Sequence, residues 1–354
     1  MESKKQVSIK DVAKEANVGI ATVDRVLNNR TGVSNKTKEK VLSAIKKLNY
    51  QPNIMASNLA LKKTFAFAIL LPSLTNKSTY WDLVNTGIEK AQQELEKYAI
   101  KLLPFHYEHT SLESYRNEVL KIINNKIDGL ILTPKFPGET KLLLQDCYNK
   151  SIPFIFIDST ISDEKPLCNI GQPLYESGQL AANLFNYCFD TGTILIAYIR
   201  DQMDDDSVID TKTKGLIDFL AEENPKINTK QITIDNSITD GREENISAQI
   251  KDELANDANI KGIFIPNSKK TTIANFLEKE TENKIYLIGY DLLEEDKPYI
   301  EKGIIDFTIC QNPGEQGYKA MNQLFEHLVL RKTVEDKIAM PLDIVTNINY
   351  RYYG

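Results

Sequence analysis

The stretch VSIKDVAKEANVGIATVDRVLNNRTGVSNKTKEKVLSAIKKLNYQPNIMASNLAL, Val7 to Leu61, decides how the rest of the chain is read. Ser8 is placed to cap a first helix, with Asp11 three residues on as an acidic partner for the free N–H groups. Ile9, Val12, Ala13 and Ala16 then recur at helical spacing, so the helix has one apolar face. Asn17-Val18-Gly19 interrupts the pattern with residues that tolerate a left-handed backbone. A second helix is expected from about Ile20 to Asn28, with Val23, Val26 and Leu27 turned inward. After Gly32, Ser34 caps a third helix whose Val41, Ile45 and Leu48 form one stripe.

Two short helices joined by a tight turn make a helix-turn-helix unit, whose second helix enters a major groove. Charge supports that reading over a plain solvated bundle. Residues 1–63 hold 13 Lys and Arg against 5 Asp and Glu; the remainder holds 30 against 44, within a net charge of −6. A basic head on an acidic body is the footprint of phosphate binding by the head alone.

These residues closely resemble the N-terminal domain of the LacI/GalR family of bacterial transcription regulators. The resemblance is carried by Ile9-Lys10-Asp11-Val12-Ala13, Thr22-Val23, Arg25-Val26-Leu27-Asn28, Val33-Ser34, Lys40-Val41 and Tyr50-Gln51-Pro52-Asn53. It implies that Ile20, Ala21 and Arg25 read bases, Arg25 by a bidentate contact to guanine. Thr22, Asn28 and Arg30 then hold phosphates, which positions the helix without specifying sequence. Gly19 and Asp24 stand where the family usually has serines. A phosphate would repel Asp24, which instead is expected to orient Arg25 or a neighbouring lysine.

Pro52 favours a helix start, and Asn53 to Leu61 follows it. The segment is too short to be a stable helix alone in water. The resemblance implies a hinge (Asn53, Ala56, Leu59) that orders on DNA. There Leu59 acts as an apolar wedge in the minor groove, with Ala56 on the same face. From the segment alone, a plain linker helix packed on the body is the favoured reading; the match of the preceding residues turns the reading to the wedge.

Composition bounds the remainder. With 354 residues the chain exceeds one domain, and its 42% hydrophobic content supports a full core. No apolar run is long enough to span a membrane, and MESKKQVSIK lacks the apolar core of a signal peptide, so a cytoplasmic location is expected. Cys147, Cys168, Cys188 and Cys310 are scattered, and His106, His109 and His327 have no metal-ligand spacing. Glycine-rich phosphate loops and a nucleophile elbow are absent, so neither cofactor, metal nor enzyme is expected.

From Thr64 onward, strand-like and helix-like stretches alternate. Phe65–Leu71 reads as a strand buried on both faces. Further strands are expected at 101–105, 129–132, 154–157, 193–199, 231–234, 262–265, 285–288 and 307–310. Helices are expected at 80–98, 114–124, 175–187, 210–223 and 243–255. Such alternation argues parallel α/β sheets, and nearly 290 residues argue two lobes. This part resembles the family's effector domain, similar to type I periplasmic sugar-binding proteins, in which the chain crosses between lobes three times. The expected organisation is a small all-α helix-turn-helix domain (1–52), a hinge (53–63) and a two-lobed α/β effector and dimerisation domain (64–354). Lobe 1 is expected at about 64–160 and 293–327, and lobe 2 at about 161–292 and 328–354.

In such folds ligands bind at the carboxyl ends of parallel strands. Asp158, Asn267 and Asp291 each follow an apolar strand and match effector-contacting positions of the family. Carboxylates accept from hydroxyl pairs, and an amide both donates and accepts, which suits a polyol. Tyr80 and Trp81, the only tryptophan, follow the first strand where a ring stacks on a sugar face. Lys212 stands where the family commonly has an arginine; lysine is a point charge without the bidentate fork. Ser268 replaces a usual aspartate.

The reading is a DNA-binding regulator of the LacI type, a repressor, working as a homodimer on double-stranded operator DNA under control of a carbohydrate effector. The alternative is a cytosolic solute-binding or sensor protein without operator-specific regulation. The basic head argues against it.

Overall fold

The computed structural model describes residues 7–27, 31–50, 64–74, 79–200, 206–236, 242–280 and 284–353. Asn28, Arg30 and the hinge positions Asn53, Ala56 and Leu59 lie outside the described residues. The chain divides into two compact units, Met1–Lys63 and Thr64–Gly354.

In the first unit, α1 (Ile9–Ala16), α2 (Ile20–Leu27) and α3 (Asn35–Lys47) pack around Val12, Ala13, Ala16, Val23, Val26, Val41 and Ala44. The caps form as the sequence dictates. The Asp11 carboxylate accepts from the Ser8 N–H at 2.8 Å and the Ser8 hydroxyl at 2.7 Å. The Ser34 hydroxyl accepts from the Thr37 N–H. Asn17 ends α1 at φ 51°, a left-handed conformation that an Asn tolerates.

The second unit contains β1 (Phe65–Pro72), α4 (Tyr80–Leu95), β2 (Ile100–Tyr107), α5 (Leu112–Ile123), β3 (Gly129–Leu132), α6 (Pro137–Lys150), β4 (Phe154–Ile157) and β5 (Cys168–Gly171). Then follow α7 (Leu174–Cys188), β6 (Gly192–Arg200), α8 (Asp206–Glu223), β7 (Ile227–Asp235), α9 (Arg242–Asn256), β8 (Ile260–Phe264), α10 (Lys270–Glu280), β9 (Tyr286–Tyr290), α11 (Lys297–Glu301), β10 (Phe307–Cys310), α12 (Pro313–Leu328), β11 (Lys337–Ala339) and β12 (Asp343–Val345). The strands form two sheets, β11-β5-β4-β3-β1-β2 and β12-β10-β9-β8-β6-β7, all parallel except the β10–β12 pair. Each sheet is covered by helices on both faces, which explains why β1, β3 and β4 are apolar runs rather than alternating ones.

The chain crosses between sheets three times: after β5 at Gln172, after β10 at Gln311, and between β11 and β12. The lobe bounds expected from sequence are displaced by this pairing. Residues 161–171 belong to the first sheet through β5, 307–310 to the second through β10, and 337–339 to the first through β11. Strands of three or four residues containing Asn169 and Gly171, or Lys337, carry no apolar signature. A crossing hidden beside them is set by ladder pairing, which acts between residues far apart in sequence.

Glycines bring helices of each lobe to backbone contact. A Cβ on Gly178 of α7 would collide with the Lys212 carbonyl of α8, and one on Gly215 of α8 with the Tyr175 carbonyl of α7. This close crossing fixes where Lys212 enters the space between lobes.

Candidate functional site

A cleft of about 200 Å³ opens at the carboxyl ends of the strands of both sheets. All six side chains named for a ligand in the sequence line it: Tyr80, Trp81, Asp158, Lys212, Asn267 and Asp291. They come from five separate segments, the start of α4 for both aromatics, the body of α8 for Lys212 and the turns after β4, β8 and β9 for the others, so their convergence is a property of the fold.

On the first lobe, Thr79 caps α4 against Asp82 and sets the two aromatics at the helix start. Tyr80 and Trp81 meet edge to face, with ring centroids 4.9 Å apart. The Tyr80 hydroxyl donates to Asp158 Oδ1 at 3.0 Å. Burial and the charges of Asp158 and Asp291 hold this phenol well above its ordinary range, so it stays a neutral donor.

On the second lobe, Lys212 is buried. Its Nζ lies 3.7 Å from the Tyr290 ring centre and donates to the Pro266 carbonyl at 3.2 Å. Burial pushes its pKa down to about 8, against the attraction of Asp291 and Asp158. Burial likewise pushes Asp291 up to about 6, opposed by Lys212, Lys270 and the bond from Gln311. Asp291 Oδ2 accepts from Gln311 Nε2 at 2.7 Å, while Oδ1 is buried without a partner. An unpaired buried carboxylate oxygen is expensive, and a ligand hydroxyl would satisfy it.

Asp158 and Asp291 occupy corresponding places, after the third strand of each sheet, and both are left-handed, at φ 71° and 61°. Behind Asp291, the fully buried Lys270 donates to the carbonyls of Tyr290 and Asp291 and pairs with the equally buried Asp296 at 2.6 Å. Thr271 and the Leu293 N–H complete the Asp296 carboxylate. Lys270 therefore clamps the turn that presents Asp291. Asn267 has a double role: its amide donates to the Ile199 carbonyl at 2.8 Å and accepts from the Lys269 N–H, so it shapes the loop while lining the cleft.

Sequence reasoning missed His109, Thr133, Lys135, Ser159, Lys269 and Gln311 on the cleft wall. Most follow strand ends, and applying the strand-end rule to β2, β3 and β10 would have found them. It also missed the buried amides at the crossings. Gln172 donates to Gln311, Gln311 donates to Asp291, and Gln316 donates both to the Gln311 carbonyl and to the Tyr80 hydroxyl. This chain ties the carboxylates of both lobes to two of the three crossings.

In the first unit, α2 buries Val23 and Val26 and leaves Ile20, Ala21 and Arg25 exposed, with Thr22 half-buried. The positions named as base readers thus share the outer side of one helix. Asp24 beside them is half-buried.

Comparison with known proteins agrees with both units. The pattern of bacterial regulatory proteins of the lacI family matches residues 8–53, and that of a periplasmic binding protein domain matches residues 67–332. The chain belongs to the lacI family. Among lacI-family relatives, the transcriptional regulator RegA of Clostridium acetobutylicum is 35% identical over 161 residues, 45% of this chain and 45% of that protein. This match therefore spans less than half of that regulator's length. The ribose operon repressor of Lactococcus lactis is 25% identical over 350 residues, 97% and 98% of the two chains. A lacI-type regulator structure from Bacteroides fragilis, titled as putative, superposes with a TM-score of 0.74 at 28% identity, covering 82% of this chain and all of that one. Among the described residues, no helix is long and apolar enough to cross a membrane.

Proposed function

We propose that this lacI-family chain is a repressor that binds operator DNA as a homodimer and is controlled by a monosaccharide-class effector held between the lobes. One observation carries the effector reading: the six polar and aromatic side chains named from sequence line a single cleft, with an unpaired carboxylate oxygen at Asp291 and spare donors at Lys212. Its volume is below the roughly 300–1,000 Å³ of drug-sized pockets, which suits a small polar ring. The ribose operon repressor, matched along nearly its whole length, is named for a sugar system.

The DNA reading rests on exposed Ile20, Ala21 and Arg25 on one helix within a basic head. One reading helix per chain requires two copies to address a palindromic site. Effector control follows from linkage: a ligand that prefers one lobe geometry shifts the population of the DNA-competent state by its differential affinity. The role is that of a cytoplasmic regulator and involves no catalysis.

Thermal shift of the full chain against a monosaccharide panel, with duplex binding measured in parallel, tests both parts. A ligand that raises the melting temperature should also change operator affinity. Operator binding insensitive to every stabilising sugar would reject effector control. Duplex binding that does not weaken as salt rises would reject the DNA reading.

A further inference from the structure

A second cavity, of about 410 Å³, lies beside the crossing at Gln311 and is larger than the cleft of about 200 Å³. Neighbouring residues part between the two spaces: Gln311 lines the cleft and Asn312 the cavity, while Asp291 borders both. The cavity walls come from both lobes. Leu83 of α4, with Pro313 and Gly314 of α12, belongs to the first; Leu292 after β9 and Tyr353 pack on the core of the second.

Its chemistry differs from that of the cleft. Leu83, Leu292, Cys310, Pro313 and Tyr353 make a mostly apolar lining. Burial pushes the Cys310 thiol up to about 12, so it stays a neutral wall. The polar groups around them are largely spent within the protein. Lys297 pairs with Glu294 at 2.5 Å, the Asn312 amide donates to Asp343 at 2.8 Å, and Glu315 pairs with Lys319 at 3.5 Å. The start of α12 is already answered by Glu315 in its own first turn. A sugar here would bury hydroxyls without partners, which is costly. An anion would meet Asp291, Glu294 and Glu315 against Lys297, the one cation lining the cavity among the described residues. Tyr353 brings an aromatic ring to the wall, which suits a planar partner. A dry apolar cavity of roughly 150 Å³ already holds a benzene ring, so this one has room for two fused rings.

We propose that this cavity is a second ligand site, separate from the sugar cleft, for a neutral aromatic molecule of about two rings. The ligand packs between Leu83 and Pro313 on one lobe and Leu292 and Tyr353 on the other. An occupant that touches both lobes favours one lobe angle, so it also biases DNA binding. That consequence rests on the regulator reading above; the site itself does not.

Titration calorimetry of the full-length protein with 2-naphthol, and with 2-naphthoate as a similarly shaped anion, tests the site. 2-Naphthol should bind one molecule per chain, ~10-fold or more tightly than 2-naphthoate. Leu83→Trp, which fills the cavity from α4, should weaken 2-naphthol by ~10-fold or more. Tyr353→Ala, at a half-buried residue outside both sheets and so mild for folding, should weaken it several-fold. Asp158→Asn, which alters the cleft alone, should leave 2-naphthol binding unchanged. No binding of 2-naphthol, or binding lost in Asp158→Asn yet kept in Leu83→Trp and Tyr353→Ala, would overturn the site. Equal binding of 2-naphthoate would overturn the neutral assignment. For a duplex that the protein selects from a random pool, 2-naphthol should change affinity several-fold. An unchanged affinity would overturn the coupling to DNA and keep the site. Failure to select any duplex would remove the regulator reading and the coupling with it, and leave the site standing.

Discussion

Replacing Asp291 by Asn should make the ligand-free protein more stable while abolishing its response to effector. The Asp291 carboxylate is buried, one oxygen has no partner, and its pKa is raised to about 6 from an ordinary 3.8. A raised acid in the folded state binds its proton more tightly than in the unfolded chain. Stability is therefore lost as pH rises from 3.8 to 6, and the loss is complete above 6. The shift corresponds to about 3 kcal/mol near pH 7.5, and to about half that near pH 5, where the folded carboxyl is mostly protonated. That figure already includes the attraction of Lys212 and Lys270. Asn keeps the acceptor for Gln311 Nε2 and tolerates the left-handed backbone at this position.

Asp291→Asn should thus raise the melting temperature of the 64–354 unit by roughly 5 °C near pH 7.5 and by about half as much near pH 5. Calorimetric scans of both proteins at the two pH values provide the measurement, repeated with any stabilising ligand. An Asn variant less stable than the parent near pH 7.5, or a difference that does not shrink at pH 5, would refute the view of Asp291 as an acceptor held in reserve for ligand.

Lys270→Met should destabilise strongly, by about 3–5 kcal/mol, because it strands the buried Asp296 carboxylate; urea denaturation reads this directly. Gly215→Ala should cost more than ~2 kcal/mol and weaken ligand binding, since the new methyl forces α8 away from the Tyr175 carbonyl and carries Lys212 with it. Equal stability and affinity would show that the helix crossing has slack. Arg25→Ala lies on an exposed helix side and should leave the melting temperature unchanged, yet lower discrimination for operator over random duplex by about 1–3 kcal/mol in anisotropy titrations.

Much of the molecule is legible in one dimension. The apolar runs 129–132, 154–157 and 307–310 coincide with β3, β4 and β10, and the Ser8–Asp11 and Ser34 caps form where the residues stand. Strand ends followed by Asp or Asn pointed to Asp158, Asn267 and Asp291, because a parallel sheet exposes the turns after its strands to one cleft. Where the reading fell short, the cause was non-local. Lys269 and Lys270 are adjacent and chemically identical, yet one lines the cleft and the other is fully buried against Asp296. Nothing within a few residues of Gln172, Gln311 or Gln316 signals that these amides meet at the crossings.

The sequence by itself determined the helix-turn-helix head, its charge contrast with the body, the alternating α/β order and the six residue types offered to a ligand. Those follow from caps, periodicity and strand-end position, all of which act within a turn or a strand. The tertiary structure alone decided which sheet each short strand joins, where the chain crosses, and which lysines share a cleft with Asp158 and Asp291. Ladder pairing and helix contact join residues well beyond one turn or strand, from Gly178 against Lys212 to Asn169 beside Lys337. Desolvation, which puts Asp291 and Lys212 out of their ordinary ranges, exists only once both lobes have closed around them.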